Sequence, residues 1–332
     1  MKVIKPSVEL MKHDIDIYSF IEKAGRVCYK SENKITDGSA KKFVSGLVSN
    51  GHYAVCEHEY LYFHFSDYND VINFISGAIV PNSSSYGLTK YLNISERYIS
   101  GSVRAWIEFF ENVHALSKKY VIGKNIYIKM LKLLRTNYSE VFTGYYDWDK
   151  DEENDIVGAI TLVNRQEFLD AKEPDYVYYY LLPHTIKFVA DRGFLAEISR
   201  HRPVGITAES TRFCNYSQGK YDEEITVIKP CYWDEVNNGK DGVSYAIWEN
   251  VCQQAEDAYI SMTKNGIKPE EARAVLPQSL KTEVVVTATE AEWQHIVNLR
   301  YHGTTGRPHP QMLEVMDMAY PILVKESRGR IQ

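Results

Sequence analysis

The sequence predicts an α+β protein, a mixed or antiparallel sheet flanked by helices, on three observations. CEHEYLYFHFS (56–66) alternates in the manner of a strand, with His58, Tyr60, Tyr62 and His64 on one face and Glu57, Glu59, Leu61, Phe63 and Phe65 on the other. TEVVVTAT (282–289) is a β-branched run of strand length. Between and beyond them, apolar residues return at helical spacing, with no repeat or low-complexity segment.

Taken in order, SFIEKAGRVCYKSE (19–32) reads as a helix running into a turn, NDVINFISGAI (69–79) as a helix and VPNSSSYG (80–87) as a breaker-rich loop. From Arg104 the chain is helical again. Trp106, Phe109, Phe110, Val113 and Leu116 take core-facing spacing, and IYIKMLKLL (126–134) continues the theme. The acidic run DWDKDEEND (147–155) lacks the glycine and distal glutamate of a calcium loop and reads as a solvated loop. YVYYYLLPHTIKFVADRG (176–193) reads as a buried strand and a tight turn. Trp248, Val251, Ala255, Tyr259 and Met262 mark an amphipathic helix ending at Asn265-Gly266. Pro269 opens a short helix, and EAEWQHIVNLR (290–300) and PQMLEVMDMAYPIL (310–323) form two closing helices.

Bulk properties narrow the class. With 44% hydrophobic and 25% charged residues, the 332-residue chain can build a core. A net charge of −6 disfavours nucleic acid and anionic membranes, so any anion site is local. Five scattered cysteines without a CxxC pair indicate neither a zinc site nor a disulfide framework. No run resembles a signal peptide or a membrane span. The expectation is a soluble cytoplasmic protein, or one of the host cytoplasm if viral.

That local site is suggested by RHRPVGITAESTRF (200–213). Arg200, His201 and Arg202 fan apart in any backbone conformation and can grip different parts of one anion, while Ser210, Thr211 and Arg212 add hydroxyls and a third guanidinium. A helix starting within 207–213 would strengthen a phosphate site. The competing reading is a surface cluster paired with acidic residues from elsewhere. Arg273 has Glu270 and Glu271 as ready partners. Arg300 continues the apolar stripe of Trp293, Ile296 and Val297, so it either snorkels past the helix end or enters a pocket as a cation needing an anion. A metal is not expected: His58 and His64 would stand about 20 Å apart on a strand, and HExxH is absent. His302 and His309 read as loop residues. There is no GxG, no phosphate loop and no GxSxG. A nucleotide would have to be held by arginines.

RHR, seven residues and Ser at 200–210 resembles the signature of the flavin-dependent thymidylate synthases. GHYAVCEHEYLYFHF (51–65), EEARAVLPQSLKTEVVVT (270–287), IVNLRYHGTTGRPHPQM (296–312) and AGRVCYKSE (24–32) resemble further family blocks in the family's order, about half of the chain. The resemblance implies reductive methylation of dUMP to dTMP, with carbon from 5,10-methylenetetrahydrofolate and hydride from FAD reduced by NADPH. It also implies a homotetramer with active sites shared between subunits, and no nucleic-acid or membrane partner.

Carried over by position, His52, Glu57, His58, Arg200, His201, Arg202 and His295 would contact FAD or the folate side. Glu197, Arg200, Glu209, Ser210, Thr211, Arg212, Arg273 and Arg300 would contact dUMP. Arg300 and Ser210 would serve catalysis, Arg300 by favouring negative charge on the uracil ring. Three features depart from the family pattern. Ala208 stands where many members carry an acid or amide, with Glu209 either covering that role or leaving it vacant. His295 occupies a position that is often Asn. A largely helical insertion at about 72–180 is expected to interrupt a single domain spanning 1–332. A non-catalytic nucleotide- or flavin-binding homologue and a pyrimidine-nucleotide hydroxymethylase are the alternatives. A single-strand nucleic-acid binder would also use the tyrosines, but net charge argues against it.

Overall fold

The computed structural model describes all residues except 78–87, 118–124, 144–158, 222 and 234–239. The loop expected at 80–87 and the acidic run 147–155 therefore lie outside the described residues. In chain order the first half contains β1 (Lys2–Ile4), β2 (Ser7–Met11), α1 (Ile17–Tyr29), α2 (Ser39–Ser49), β3 (Tyr60–Phe65) and α3 (Tyr68–Gly77). It continues with β4 (Leu92–Ile94), β5 (Tyr98–Ser102), α4 (Val103–Ser117), α5 (Asn125–Asn137), β6 (Ile160–Val163), α6 (Arg165–Asp170) and α7 (Asp175–Leu181). The second half contains β7 (Pro183–Asp191), α8 (Arg192–Ile198), β8 (Gly205–Ala208), β9 (Thr226–Ile228) and α9 (Lys240–Lys264). It ends with α10 (Pro269–Ala272), β10 (Lys281–Thr289), α11 (Glu290–Arg300) and α12 (Pro310–Glu326). Sheets flanked by helices make this an α+β fold.

The chain divides into two compact units: one of Met1–Lys12, Lys23–Lys34 and His184–Gln332, the other of His13–Glu22 and Ile35–Pro183. The expected insertion at about 72–180 falls within the second. That unit is built on an antiparallel sheet of order β4-β5-β3-β6. Leu61, Phe63 and Phe65 enter its core with Trp106, Phe109, Phe110 and Val113 of α4, as their spacings require. The strand is shorter than its alternation suggested, because Tyr53–His58 form a 3₁₀ turn before it.

The first unit carries the sheet β2-β7-β10-β8, with β2 antiparallel to β7 and β8 antiparallel to β10. Period-two alternation sends Ile186, Phe188 and Ala190 of β7 and Val284, Val286 and Ala288 of β10 into one core. Trp293, Ile296 and Val297 of α11 and Met312, Val315, Met316, Ala319 and Leu323 of α12 close it. The opposite face is polar and buried: Thr185 Oγ1 lies 2.7 Å from Thr287 Oγ1, and Lys187 Nζ lies 2.7 Å from a carboxylate oxygen of Glu283.

Three readings from pattern need correction. The tyrosine run before Pro183 is helix α7 rather than strand, because Val177, Tyr178 and Leu181 are buried at helical spacing after Pro174. Residues 207–213 do not open a helix: Thr207 and Ala208 pair with Val285 and Val284, and a turn follows. On α9 the buried stripe runs through Tyr245, Trp248, Cys252 and Tyr259, leaving Val251 exposed with Val243 and Ile247.

Candidate functional site

The candidate site grows from α8 in the first unit. Asp191 ends β7 and caps that helix, its Oδ1 accepting from Phe194 N at 2.7 Å while Gln311 of α12 donates to Oδ2 at 2.6 Å. Phe194 and Ile198 anchor the helix in the core. One turn apart, Arg192 and Ala196 line a cleft, and Glu197 leads to Arg200, His201 and Arg202 just past the helix end.

Arg300 settles its two alternatives by turning inward. Its Nη1 donates to Glu197 Oε2 at 2.9 Å, its Nη2 to the Glu197 carbonyl at 3.3 Å, and its Nε to His201 Nε2 at 3.0 Å. In this geometry His201 Nε2 accepts and therefore carries no proton. Burial, with the Arg300 and His295 charges behind it, lowers the His201 pKa to about 4. His201, only 5% exposed, is thus a neutral positioning group against Arg300, 5.8 Å ring to ring from His295.

Arg200, Arg202 and His295 remain exposed. Among the described residues no carboxylate pairs with Arg200. The Arg202 Nη1 reaches only the Ser199 and His201 carbonyls, at 2.9 and 3.4 Å. Two exposed guanidinium groups without counter-charge, beside an exposed imidazole, form a donor set suited to the diphosphate of a dinucleotide cofactor.

The cleft has a volume of about 480 Å³ and is lined by Arg192, Ala196, Thr211 and the Arg273–Leu280 segment. Arg273 Nη1 approaches Thr211 Oγ1 at 3.5 Å. Glu270, a ready partner for Arg273 in sequence, instead pairs with Arg212 Nε at 2.8 Å. Ser210 sits in the turn after β8: its N–H donates to the Cys28 carbonyl at 3.0 Å and its Oγ accepts from Arg212 N at 3.3 Å. No carboxylate or imidazole that would activate it as a nucleophile contacts that hydroxyl among the described residues.

Glu209, expected at the substrate, is 2% exposed and points away to Lys281 at 2.7 Å, with Tyr216 Oη donating to it at 3.3 Å. Strand alternation explains this, since Glu209 follows β8 on the polar face while Ala208 packs on the core side. Glu209 therefore does not supply the acid missing at Ala208.

His52, Glu57 and His58 belong to the second unit. There His52 is exposed, Glu57 pairs with Arg104 at 2.8 Å, and His58 is wholly buried, its pKa lowered by burial and then by His13 to about 3. Two residues escaped the sequence reading, Arg192 and Gln278 of the cleft. Arg192 was legible only as the residue after a capping aspartate, and its sharing of a cleft with Arg273 depends on the packing of α8 against the 273–280 segment.

Residues 182–326, which contain every element of this site in the first unit, match the family model described as thymidylate synthase complementing protein. The likeness to that family covers less than half of the chain. The chain is also similar to the flavin-dependent thymidylate synthase of Haloarcula marismortui, 24% identical over 188 residues, 51% of this chain and 75% of that protein. The enzyme of the same name from Thermococcus onnurineus is 30% identical over 129 residues, 38% of this chain. The chain spans only half of the Thermococcus protein and 40% of the Pyrococcus furiosus one. Among solved structures, a UMP/dUMP methylase PolB from Streptomyces cacaoi aligns over 98% of this chain and 93% of its own, at 13% identity and a TM-score of 0.40. A score that low leaves function to the residues themselves.

Proposed function

We propose that this chain is a flavin-dependent thymidylate synthase that converts dUMP to dTMP, taking carbon from 5,10-methylenetetrahydrofolate and reducing equivalents from NADPH. The observation that carries the reading is Arg300, an inward cation held at two points by Glu197 and His201 at the end of α8. A guanidinium so fixed, close to a uracil ring, stabilises negative charge on the pyrimidine and makes C5 more nucleophilic without reorganising during the reaction. Arg273 and Thr211 hold the nucleotide in the cleft, and Ser210 donates its hydroxyl to it. Arg200, Arg202 and His295 hold FAD. When bound, the flavin supplies the hydride that completes the methyl group.

In balance, C5 of dUMP gains the methylene carbon and loses its proton, the folate leaves as tetrahydrofolate, and hydride turns the methylene into methyl. His201 does not exchange that proton near neutral pH, since it is already neutral and its Nε2 accepts from Arg300. A homotetramer with sites completed between subunits, acting in the cytoplasm, belongs to the same proposal.

The test is dTMP formation by FAD-supplemented protein under low oxygen with dUMP, methylenetetrahydrofolate and NADPH, with products resolved by mass. The expected product appears only with NADPH. Binding of dUMP without turnover would establish a non-catalytic homologue, and a product heavier by one oxygen a hydroxymethylase.

A further inference from the structure

We propose that Gln311 is a positioning residue for Arg300, acting through α8; this rests on the reading of Arg300 given above. The His-Pro-Gln-Met run at 309–312 lines no part of the cleft, yet its glutamine grips the helix that carries the Arg300 network.

Three observations bring it in. First, α8 is 7 residues long, too short to hold its own direction, so its ends must be fixed from outside. Its C-terminal end is held by Arg300, the last residue of α11, through the Glu197 carboxylate and carbonyl. Its N-terminal end is held by Gln311 in the first turn of α12, whose Nε2 donates to Asp191 Oδ2 at 2.6 Å. Arg300 and Gln311 flank the loop 301–309, so the two closing helices clamp α8 at both ends.

Second, the Asp191 carboxylate depends on this bond. It is 6% exposed, and its other oxygen is taken by the Phe194 N–H. No lysine or arginine pairs with it among the described residues. Burial raises its pKa against the Phe194 N–H, the Gln311 amide and the His309 charge, which lower it. Glu314, one turn further along α12, is also raised by burial and then by Asp191, with Lys5 opposing. A corner that already holds two carboxyls is served by a neutral donor. Third, the amide is oriented. Its Oε1 accepts from Tyr232 Oη at 3.4 Å, which leaves Nε2 for Asp191. A Cβ at Gly193 would stand 3.2 Å from Asp191 Oδ1, so glycine there gives the carboxylate room.

Without the Gln311 bond the N-terminal end of α8 is free, and Glu197 and His201 drift from Arg300. A cation that is no longer fixed stabilises charge on a reacting ring less well. His201 reports the same loosening without turnover, because its neutrality comes from burial beside Arg300.

An imidazole titration by NMR of the flavin-loaded protein tests this. Gln311→Leu should move the His201 midpoint up from about 4 toward 6.5 while thermal unfolding stays cooperative. In turnover it should lose roughly ten-fold or more in kcat. Asp191→Ser keeps a capping side chain but falls short of Gln311, and should behave as Gln311→Leu does. Asp191→Asn combined with Gln311→Glu reverses donor and acceptor and should restore both midpoint and kcat. Gln311→Glu alone adds an acid beside Asp191 and Glu314 and should lose at least as much as Gln311→Leu. Lower thermal stability with an unmoved His201 midpoint and kcat would make the bond merely structural and overturn the proposal. So would a reversed pair no better than Gln311→Glu. If Gln311→Leu does not fold, Asp191→Ser decides, and a wild-type midpoint there overturns the clamp. A shifted midpoint in a protein that forms no dTMP would keep the clamp and sink the synthase reading. Formation of dTMP with an unmoved midpoint in Gln311→Leu would do the reverse.

Discussion

Arg300 and His201 define each other. The imidazole stays neutral because it is buried beside a cation, and the guanidinium stays oriented because the imidazole and Glu197 accept from it. Protonating His201 would place two cations in contact. An imidazole titration by NMR should therefore give a midpoint near 4 for His201, well below its ordinary 6.5. A folded-state value this low means that the unfolded chain binds the proton first. Stability linked to His201 is present above about pH 6.5 and is lost as pH falls toward 4. Replacing Arg300 by Gln should raise the midpoint, though burial keeps it below 6.5; a wild-type midpoint near 6.5 would contradict the packing. The same variant should lose about 10²- to 10³-fold in kcat, as when a fixed electrostatic donor is removed from a reacting centre.

At the scale of elements, the polar face of the β7–β10–β8 sheet supports the site from behind. Glu283 of β10 meets Lys30, Lys187 and Lys281, and Lys281 also meets Glu209, the residue before Ser210. Burial alone would raise the Glu283 carboxyl, but the three ammonium groups outweigh it and hold the pKa below the usual carboxylate range. Its contribution to stability is thus complete above about pH 4.5, the ordinary value, and is lost as pH falls below it. Glu283→Gln leaves those lysines without their shared acid and should cost about 3–5 kcal/mol in denaturant unfolding at neutral pH. The variant should also show a shallower loss of stability in acid. An unfolding midpoint unchanged at pH 7 would remove this cluster from the account of stability. A second buried group closes the far end of the same unit, where Arg330 and His184 share the Glu290 carboxylate at 2.7 and 2.8 Å and tie the C-terminal segment to the start of α11.

For the whole molecule, the residues carried over from the family pattern fall in both compact units. The arginine cleft and the Arg300 network lie in the first, while His52, Glu57 and His58 lie in the second. The proposed assembly predicts a sedimentation mass four times that of the chain in the presence of FAD, and a monomer at micromolar concentration would rule out sites shared between four copies. Among the described residues no helix is long and apolar enough to cross a membrane, and no group of three metal-ligating side chains occurs.

Much of this was legible before folding, and the reasons are local. The β3 and β10 strands and the α4, α11 and α12 helices follow from periodicities of two and about 3.6 residues, since one face of each must be apolar wherever a core exists. The RHR run and the stripe ending at Arg300 were legible as cations that need a partner, and Arg300 meets Glu197. What only the tertiary structure decided is which acid each arginine meets. Glu270 goes to Arg212 rather than Arg273, Glu197 goes to Arg300, and Arg192 is left facing the cleft. Glu209 turns its back on the site because β8 pairs with β10 in a register that sends Ala208 to the core. These pairings join residues up to about a hundred positions apart, and the direction of a side chain in a sheet is set by register with a distant strand. Local pattern carries the kind of element; it does not carry the partner.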